Sequence, residues 1–453
     1  MKRVLSMLMA VVMGLTGYAV PGGGEPQKPS GGAAPMGDCA LARAAYPEFP
    51  DWPEEDAGLD WEAQSAYYEA LRQFRGEGLP GEEGERLTAF AGRSVPLALA
   101  GHEGENAVYS PLSLWSALAM LAQCAEGESR QQLLDALGAD SVESLQESVS
   151  QVWKGLYTDD GASSLLLANS IWLNSNLEGS YVQETLDALA QKYFSGAYAV
   201  PMGSGEADQA VTDWVKEQTH GLIGGGAPVV RTQADTLALL ASSLYYRAGW
   251  TDEFLPERTQ EDVFTGAAGR ESRVDFMHRS QRANFLRREG YQAAQLGTRL
   301  GEMVFVLPDK GVSPESLLQD PAFLAGLDIG RSEDSHYGEV QWSVPKFDVD
   351  STLGLLDCLR GMGITGVLDP EKADLSALTS LDAVLSDAKQ LARVKVDEEG
   401  VEAAAVTMLM IETTSAMPEP DPEVCVMDLD RPFLFVIRTE GIPLFVGVVN
   451  QVE

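Results

Sequence analysis

The hydrophobic and polar positions of the chain predict helices mainly in its first half and strands mainly in its second. Apolar residues recur at helical spacing in Trp61 to Phe74, after Ser110, and in Ala207 to Ile223. Near-continuous apolar runs with β-branched and aromatic members, at Leu165 to Leu173 and Leu237 to Tyr246, are typical of strands covered on both faces. Because the two types do not alternate strictly, the pattern predicts an α+β fold.

The same criteria predict several shorter elements. These are strands at Met303 to Leu307 and Val340 to Val349, and helices at Ser129 to Leu137 and Ser351 to Leu359. The helix after Ser110 has the clearest start, because a serine side chain can cap the helix and Pro111 suits its first position.

The first twenty residues have the pattern of a secretory signal. Lys2 and Arg3 precede an apolar stretch from Val4 to Val20, which is too short and too close to the N-terminus to favour a membrane span. Tyr18 stands where a lipoprotein box would have its cysteine, so a lipid anchor lacks its attachment atom. We expect residues 1–20 to be a signal peptide and the protein to be secreted. The alternative is an uncleaved N-terminus that keeps the protein at the cell envelope.

The remaining chain divides into three parts. Residues 21–59 begin with a stretch rich in Gly, Pro and small residues, which do not form a packed core, so we expect a flexible leader. Residues 60–85 are expected to be an accessory helical segment, which the glycines between 76 and 84 interrupt. No Pro/Gly-rich linker occurs later, so residues 86–453 are expected to form one domain.

Composition and charge argue against several classes of partner and site. With 32 Lys+Arg against 68 Asp+Glu, the net charge of −36 would repel nucleic acid and anionic membranes and would attract cationic partners. The 45% of hydrophobic residues is enough for a large core. The four histidines are scattered and no nucleophile elbow occurs. We therefore expect no metal, no cofactor and no enzymatic activity.

The cysteines leave their pairing open. Cys39, Cys124, Cys358 and Cys425 are even in number, and export would permit disulfides, but four cysteines allow three connectivities that sequence does not distinguish. Cys124 and Cys358 lie on stretches with helical spacing, so we predict that they are buried thiols.

The stretch from Val394 to Met417 has an unusual strand pattern. Read with a period of two after Gly400, one face is uncharged and begins with the small residues Val401, Ala403 and Ala405, whereas the other carries the charges. It leads into a polar, Pro-containing run with no packing pattern. A strand that must enter between neighbours already in place needs such small, uncharged residues at its leading end.

At this point the chain resembles the serpin family, of a bacterial secreted type. The following stretches resemble, in the family's order, the start of helix B, the third strand of the main sheet, two further strand motifs, the hinge of inhibitory members and the C-terminal signature: Tyr109-Ser110-Pro111-Leu112-Ser113, Leu244 to Trp250, Val304 to Pro308, Val344-Pro345-Lys346-Phe347, Glu398-Glu399-Gly400-Val401-Glu402-Ala403-Ala404-Ala405-Val406-Thr407, and Leu429 to Phe435. Trp250 would then lie at the top of the path by which the loop enters the sheet.

The resemblance implies three β-sheets, about eight to nine helices and an exposed reactive centre loop at about 398–424. In inhibitory serpins a protease cleaves this loop, forms an acyl-enzyme, and is trapped when the loop inserts into the main sheet. The resemblance also implies a monomer. Heparin-like cofactors are not indicated, because Asp140 to Asp160 contains one Lys and no basic stripe.

Counting from the hinge predicts the cleaved bond. The seventeenth residue from Glu398 is Thr414, which places the bond at Thr414–Ser415. Because the loop is long, Met410, Ala416 and Met417 are alternatives. A small β-branched Thr suits an elastase-like or subtilisin-like serine protease, and no Lys or Arg that a trypsin-like enzyme would need occurs from residue 397 to 430.

The central latch of the family departs from its usual residues here. Serpins often have Asn and His beneath the centre of the main sheet, and the corresponding residues of this chain are Ser242 and Gln390. These can still hydrogen bond across strands, near Ser110 and Ser113. The functional alternatives are a non-inhibitory serpin that acts as a carrier, binding or structural protein, a secreted hydrolase, for which no convergent Ser/His/Asp set is present, and a surface adhesin.

Overall fold

The computed structural model describes residues 5–14, 39–50, 61–75, 78–79, 81–160, 162–177, 179–224, 226–401 and 423–453. The α-helices in these ranges are α1 (Trp61–Arg75), α2 (Gly81–Ala98), α3 (Pro111–Cys124), α4 (Gly127–Leu137), α5 (Val142–Leu156), α6 (Gln183–Lys192), α7 (Gly205–Gln218), α8 (Pro314–Leu317), α9 (Phe323–Gly326) and α10 (Leu356–Gly361). Nine of these ten lie within residues 81–453, which agrees with the eight to nine helices that the resemblance implied.

The strands in the same ranges are β1 (Leu5–Gly14), β2 (Ala40–Ala42), β3 (Ala107–Tyr109), β4 (Thr158–Asp159), β5 (Ser164–Asn174), β6 (Ser195–Val200), β7 (Thr236–Gly249), β8 (Gln260–Thr265), β9 (Glu271–Arg288), β10 (Tyr291–Thr298), β11 (Gly301–Pro308), β12 (Ser335–Pro345), β13 (Phe347–Gly354), β14 (Ala383–Val396), β15 (Gly400–Val401), β16 (Glu423–Asp428), β17 (Phe433–Thr439) and β18 (Ile442–Val449). Helices and strands do not alternate regularly, which confirms the α+β class.

The main sheet has the strand order β13-β14-β1-β7-β5-β6-β2. β1 runs parallel to both of its neighbours, β14 and β7, so these two strands also run parallel to each other. β7 is buried along nearly its whole length, as its continuous apolar run predicts. The centre of the sheet therefore consists of three strands in one direction, flanked by the antiparallel strands β13 and β5.

Two further sheets share the long strand β9. One end of β9 pairs with β10, which continues through β11, β17 and β18 to β3. The rest of β9 pairs with β8 and β12, and β12 pairs with β16. Because β9 has 18 residues, it is long enough to belong to both, and the three sheets of the predicted fold are present.

The helix α3 packs beneath the main sheet, and α7 covers its other face. The N-cap of α3 is Ser110, whose side chain accepts a hydrogen bond from the backbone of Ser113, as predicted. Nearly every residue of α3 is buried, since it lies between the sheet and other helices. α7 contributes Trp214, which meets Trp172 of β5 in a second apolar cluster.

The structure differs from the sequence-based expectation in several places. The single strand predicted at Val340 to Val349 is two strands, β12 and β13, which are separated at Lys346. Residues 351–354, predicted as the start of a helix, continue β13, because their backbone pairs with β14; the helix α10 begins only at Leu356. Residues 39–50, which the composition assigned to the flexible leader, pack on the domain. β2 pairs with β6, and Tyr46 stacks on Trp153 with ring centroids 5.5 Å apart.

The N-terminal segment forms a central strand. Residues 5–14 have the apolar pattern that predicts a signal peptide, and in the structure they are β1. No helix in the described ranges is long and apolar enough to cross a membrane.

Candidate functional site: the hinge and the centre of the main sheet

The chain between β14 and β15 is held by the residues that follow β7. The indole N–H of Trp250 donates to the carbonyl oxygen of Asp397 at 2.9 Å. The backbone N–H of Trp250 donates to the carbonyl oxygen of Glu399 at 3.1 Å. The backbone N–H of Phe254 donates to the carbonyl of Glu398, also at 3.1 Å. Trp250 is 2% exposed. It therefore lies at the point where β14 ends and the loop begins.

Glu398 is anchored by its side chain as well. One carboxylate oxygen accepts a hydrogen bond from the Thr259 hydroxyl at 2.9 Å, and the other lies 3.1 Å from Nζ of Lys346. Partial burial alone would raise the pKa of Glu398, but hydrogen bonds from its own backbone amide, Thr259 and Lys346, together with the lysine charge, outweigh it and lower the pKa below its usual value. Glu398 is therefore held in its charged form.

Gly400 allows the chain to turn against β7. It pairs with Gly249, and Val401 pairs with Ala248, so the chain after the turn runs antiparallel to β7. A Cβ atom at position 400 would lie 2.6 Å from the Ala248 carbonyl oxygen, and the φ angle of 155° is one that L side chains rarely adopt. The position accordingly needs glycine. Val401 is fully buried.

Gln390 of β14 ties the centre of the sheet to Ser110, at the start of the helix α3 beneath it. Its amide oxygen accepts a hydrogen bond from the backbone N–H of Ser110 at 2.8 Å, and its amide nitrogen donates to the Ser110 carbonyl at 3.1 Å. Gln390 is completely buried, so both bonds are shielded from water. Ser113 is buried nearby, and its hydroxyl has no hydrogen-bond partner in the described part of the chain.

Gln390 and Ser242 are not on adjacent strands. The register aligns Val11 of β1 with Gln390 on one side and with Ser242 on the other. The hydrogen bonds of the Gln390 side chain go to Ser110 and not across to Ser242. The structure thus brings Gln390, Ser110 and Ser113 together and places Ser242, which is buried, one strand further away.

Most of the predicted loop is outside the described residues. The remaining hinge residues (Glu402, Ala403, Ala404, Ala405, Val406 and Thr407), the bond Thr414–Ser415 and its alternatives Met410, Ala416 and Met417 all lie in the interval 402–422. The described part of the hinge is Glu398, Glu399, Gly400 and Val401.

Sequence reasoning missed the partners of Glu398. Thr259 and Lys346 lie far from the hinge in the chain, and no local pattern connects them to it. The signal available was Lys346 itself, a charged residue within the motif Val344 to Phe347 of a predicted strand.

The described residues contain no group of three or more His, Cys, Asp or Glu side chains arranged to hold a metal ion. Cys124 and Cys358 are buried thiols as predicted, and burial raises the pKa of each to about 12. Cys425 is also buried, and its pKa is raised to about 11.

Comparisons with known proteins agree with this geometry. The family model Serpin (serine protease inhibitor) matches residues 85–452. Serpin-Z2B of Triticum aestivum is 31% identical over 368 residues, which cover 76% of this chain and 90% of the wheat protein. The chain therefore belongs to the serpin family.

Solved structures show the same fold. The thermophilic serpin tengpin in its native state has a TM-score of 0.72 and 25% identity, over 83% of this chain and 95% of that structure. Human thyroxine-binding globulin has a TM-score of 0.67 and 22% identity, over 82% and 98%. Serpins are in general protease inhibitors and not catalytic enzymes, although some, such as thyroxine-binding globulin, do not inhibit proteases. This chain is accordingly not an enzyme.

Proposed function

We propose that this serpin inhibits serine proteases of the elastase-like or subtilisin-like kind as a suicide substrate. The observation that carries the proposal is the pairing of Val401 with Ala248, by which the loop already begins an antiparallel strand beside β7. The protease serine would attack the carbonyl carbon of Thr414, the amine of Ser415 would leave, and the ester would be trapped before water hydrolyses it.

The register of β15 supports the predicted bond. If the pairing continued, each further loop residue would meet the preceding residue of β7, and Thr413 would meet Thr236, where β7 begins. Thr414 would lie just beyond the strand. Cleavage after Met410 would leave the first three positions of β7 unpaired, whereas cleavage after Ala416 or Met417 would leave residues without a strand partner. The length of β7 thus favours Thr414–Ser415.

The pattern of the loop suits insertion. Val401 is fully buried beside β7. With the period of a strand, Ala403, Ala405 and Thr407 would take the same face, and none of them is charged. The face that enters the interior therefore brings no charge that would need a partner.

The free energy available is sufficient to distort a bound protease. β7 offers 14 residues, and a new strand along it would form backbone hydrogen bonds worth on the order of 10 kcal/mol in total, at roughly 1 kcal/mol each. This is comparable to the whole stability of a typical domain, about 5–15 kcal/mol. Insertion can therefore offset the partial unfolding of the tethered enzyme.

The residues of the loop and the net charge of the chain support an elastase-like or subtilisin-like protease as the target. A small β-branched residue before the cleaved bond suits a shallow specificity pocket, and no basic residue that a trypsin-like enzyme could use lies between 397 and 430. The net charge of −36 would speed encounter with a cationic protease. The apolar N-terminal pattern supports secretion, where such proteases act.

The test is incubation of the exported chain with elastase and, separately, subtilisin, followed by a denaturing gel. We expect an adduct that survives heat and detergent, and a small released fragment. Trypsin is the matched control, since it should give no adduct through this loop. Complete cleavage by several serine proteases without an adduct would instead support a non-inhibitory binding protein of the serpin fold.

A further inference from the structure

We propose that residues 5–14, while they remain attached, occupy the position in the main sheet that the cleaved loop needs, so that their removal makes the inhibitor competent. This inference rests on the proposed function. The position concerned lies between β14 and β7, and a segment of the same chain, β1, fills it.

β1 is paired on both sides. Leu5 to Val12 pair with β14, and Ser6 to Gly14 pair with β7. Met7 is fully buried, and its carbonyl oxygen accepts a hydrogen bond from the Ser386 hydroxyl at 3.2 Å. Without β1, the backbone groups through which β14 and β7 now bind it would be free to pair with another strand.

β1 and the inserting loop would compete for the same backbone groups of β7, which they approach from opposite ends. β1 runs parallel to β7 and ends with Gly14 opposite Tyr245, whereas β15 runs antiparallel to β7 from the other end and has reached Ala248. In the continued register Ala404 would meet Tyr245, which Gly14 already pairs with. Only residues 402 and 403 could therefore join β7 before β1 must leave.

The sequence of the segment suits both roles. Residues 5–14 are ten uncharged residues without proline, which can pair along a buried strand, and the same apolar stretch after Lys2 and Arg3 predicts an exported leader. Cleavage of the leader would then empty the position between β14 and β7. The coupling would keep the chain from trapping proteases before export.

Val11→Pro in the full chain tests the competition. Val11 pairs with strands on both sides, and proline lacks the N–H that a central strand needs. With elastase, we expect about a tenfold rise in the ratio of adduct to cleaved chain, since the loss of one or two ladder hydrogen bonds shifts such a competition by roughly that factor. Ala33→Pro, which lies outside β1, is the matched control and should leave the ratio unchanged.

The outcomes separate this inference from the proposed function. If the exported chain and the Val11→Pro chain both give no adduct, the proposed inhibition fails. If the exported chain gives adduct but Val11→Pro behaves like the unaltered full chain, the competition is overturned.

A crosslink tests the position of β1 without any protease. The register pairs Val12 with Ser243, so the full chain with Val12→Cys and Ser243→Cys should form a disulfide on mild oxidation, detected by peptide mass. The pair Ala33→Cys with Ser243→Cys is the control. Equal crosslinking of the two pairs would contradict the placement of β1. We also expect the oxidised Val12–Ser243 form to be cleaved without adduct and the reduced form to regain it.

Discussion

Trp250 joins the ends of β7 and β14: its indole N–H donates to the carbonyl oxygen of Asp397 at 2.9 Å. Trp250 is also close to Phe254, whose ring meets it edge to face with centroids 6.1 Å apart. The bond connects two residues 147 positions apart, at the point where the loop leaves the sheet. Any insertion of the loop must begin from this junction.

Trp250→Phe should weaken the junction. It removes the indole donor and leaves a carbonyl oxygen unpaired, so the free energy of unfolding should fall by about 1–3 kcal/mol more than loss of the ring area alone explains. Trp342→Phe is the matched control, because Trp342 is equally buried and its indole nitrogen has no partner among the described residues. Urea denaturation of both variants measures the difference. Equal losses would show that the Asp397 hydrogen bond contributes nothing.

Gly400→Ala should destabilise the hinge. The added Cβ would lie 2.6 Å from the Ala248 carbonyl oxygen and from Cα of Gly249, both of which are backbone atoms in a paired strand. We expect a loss of about 1–3 kcal/mol, as for other strained backbone positions, measured by thermal unfolding. Gly354→Ala is the control, since a Cβ there would meet no atom within 4 Å. If the two variants unfolded at the same temperature, Gly400 would not be required.

The ion pair of Glu398 with Lys346 should make the free energy of unfolding depend on pH. Because the folded pKa of Glu398 is lowered from 4.5, its contribution is present above that value and is lost as pH falls through the folded pKa. We therefore expect the stability difference between the wild type and Glu398→Gln to be largest at pH 6 and to shrink as the pH falls below 4.5. Denaturation at a series of pH values measures it, and a difference independent of pH would refute the account.

Ala403→Arg should turn the inhibitor into a substrate. Ala403 would take the same face as the buried Val401, and an unpaired charge there costs about 3–5 kcal/mol. The loop should then be cleaved normally but insert too slowly to trap the protease, so the number of inhibitor molecules consumed per trapped enzyme should rise severalfold. Glu402→Arg, on the opposite face, is the control and should inhibit nearly as well as the wild type. Unchanged stoichiometry in the Ala403→Arg variant would count against insertion.

Local patterns predicted much of the fold and the hinge. The cap of α3 at Ser110 and the buried strands β5 and β7 follow from the residue types and spacing within short segments, because helices and strands each have a fixed period. The Gly400 turn is likewise visible in the sequence, because a strand pattern stops there and resumes.

The remaining features depend on contacts between distant residues. The apolar pattern of residues 5–14 is the same for an exported signal and for a buried strand, so the sequence does not predict β1. Residues 351–354 pair with β14 although their spacing resembles a helix start. The Lys346–Glu398 pair joins two segments that no local pattern connects.

The most direct test of the loop mechanism is mass spectrometry of the exported chain after reaction with elastase. The account predicts a covalent adduct of protease with a chain ending at Thr414, and a released fragment that begins at Ser415 and ends at Glu453. Recovery of active protease together with both fragments of the serpin, and no adduct, would contradict it.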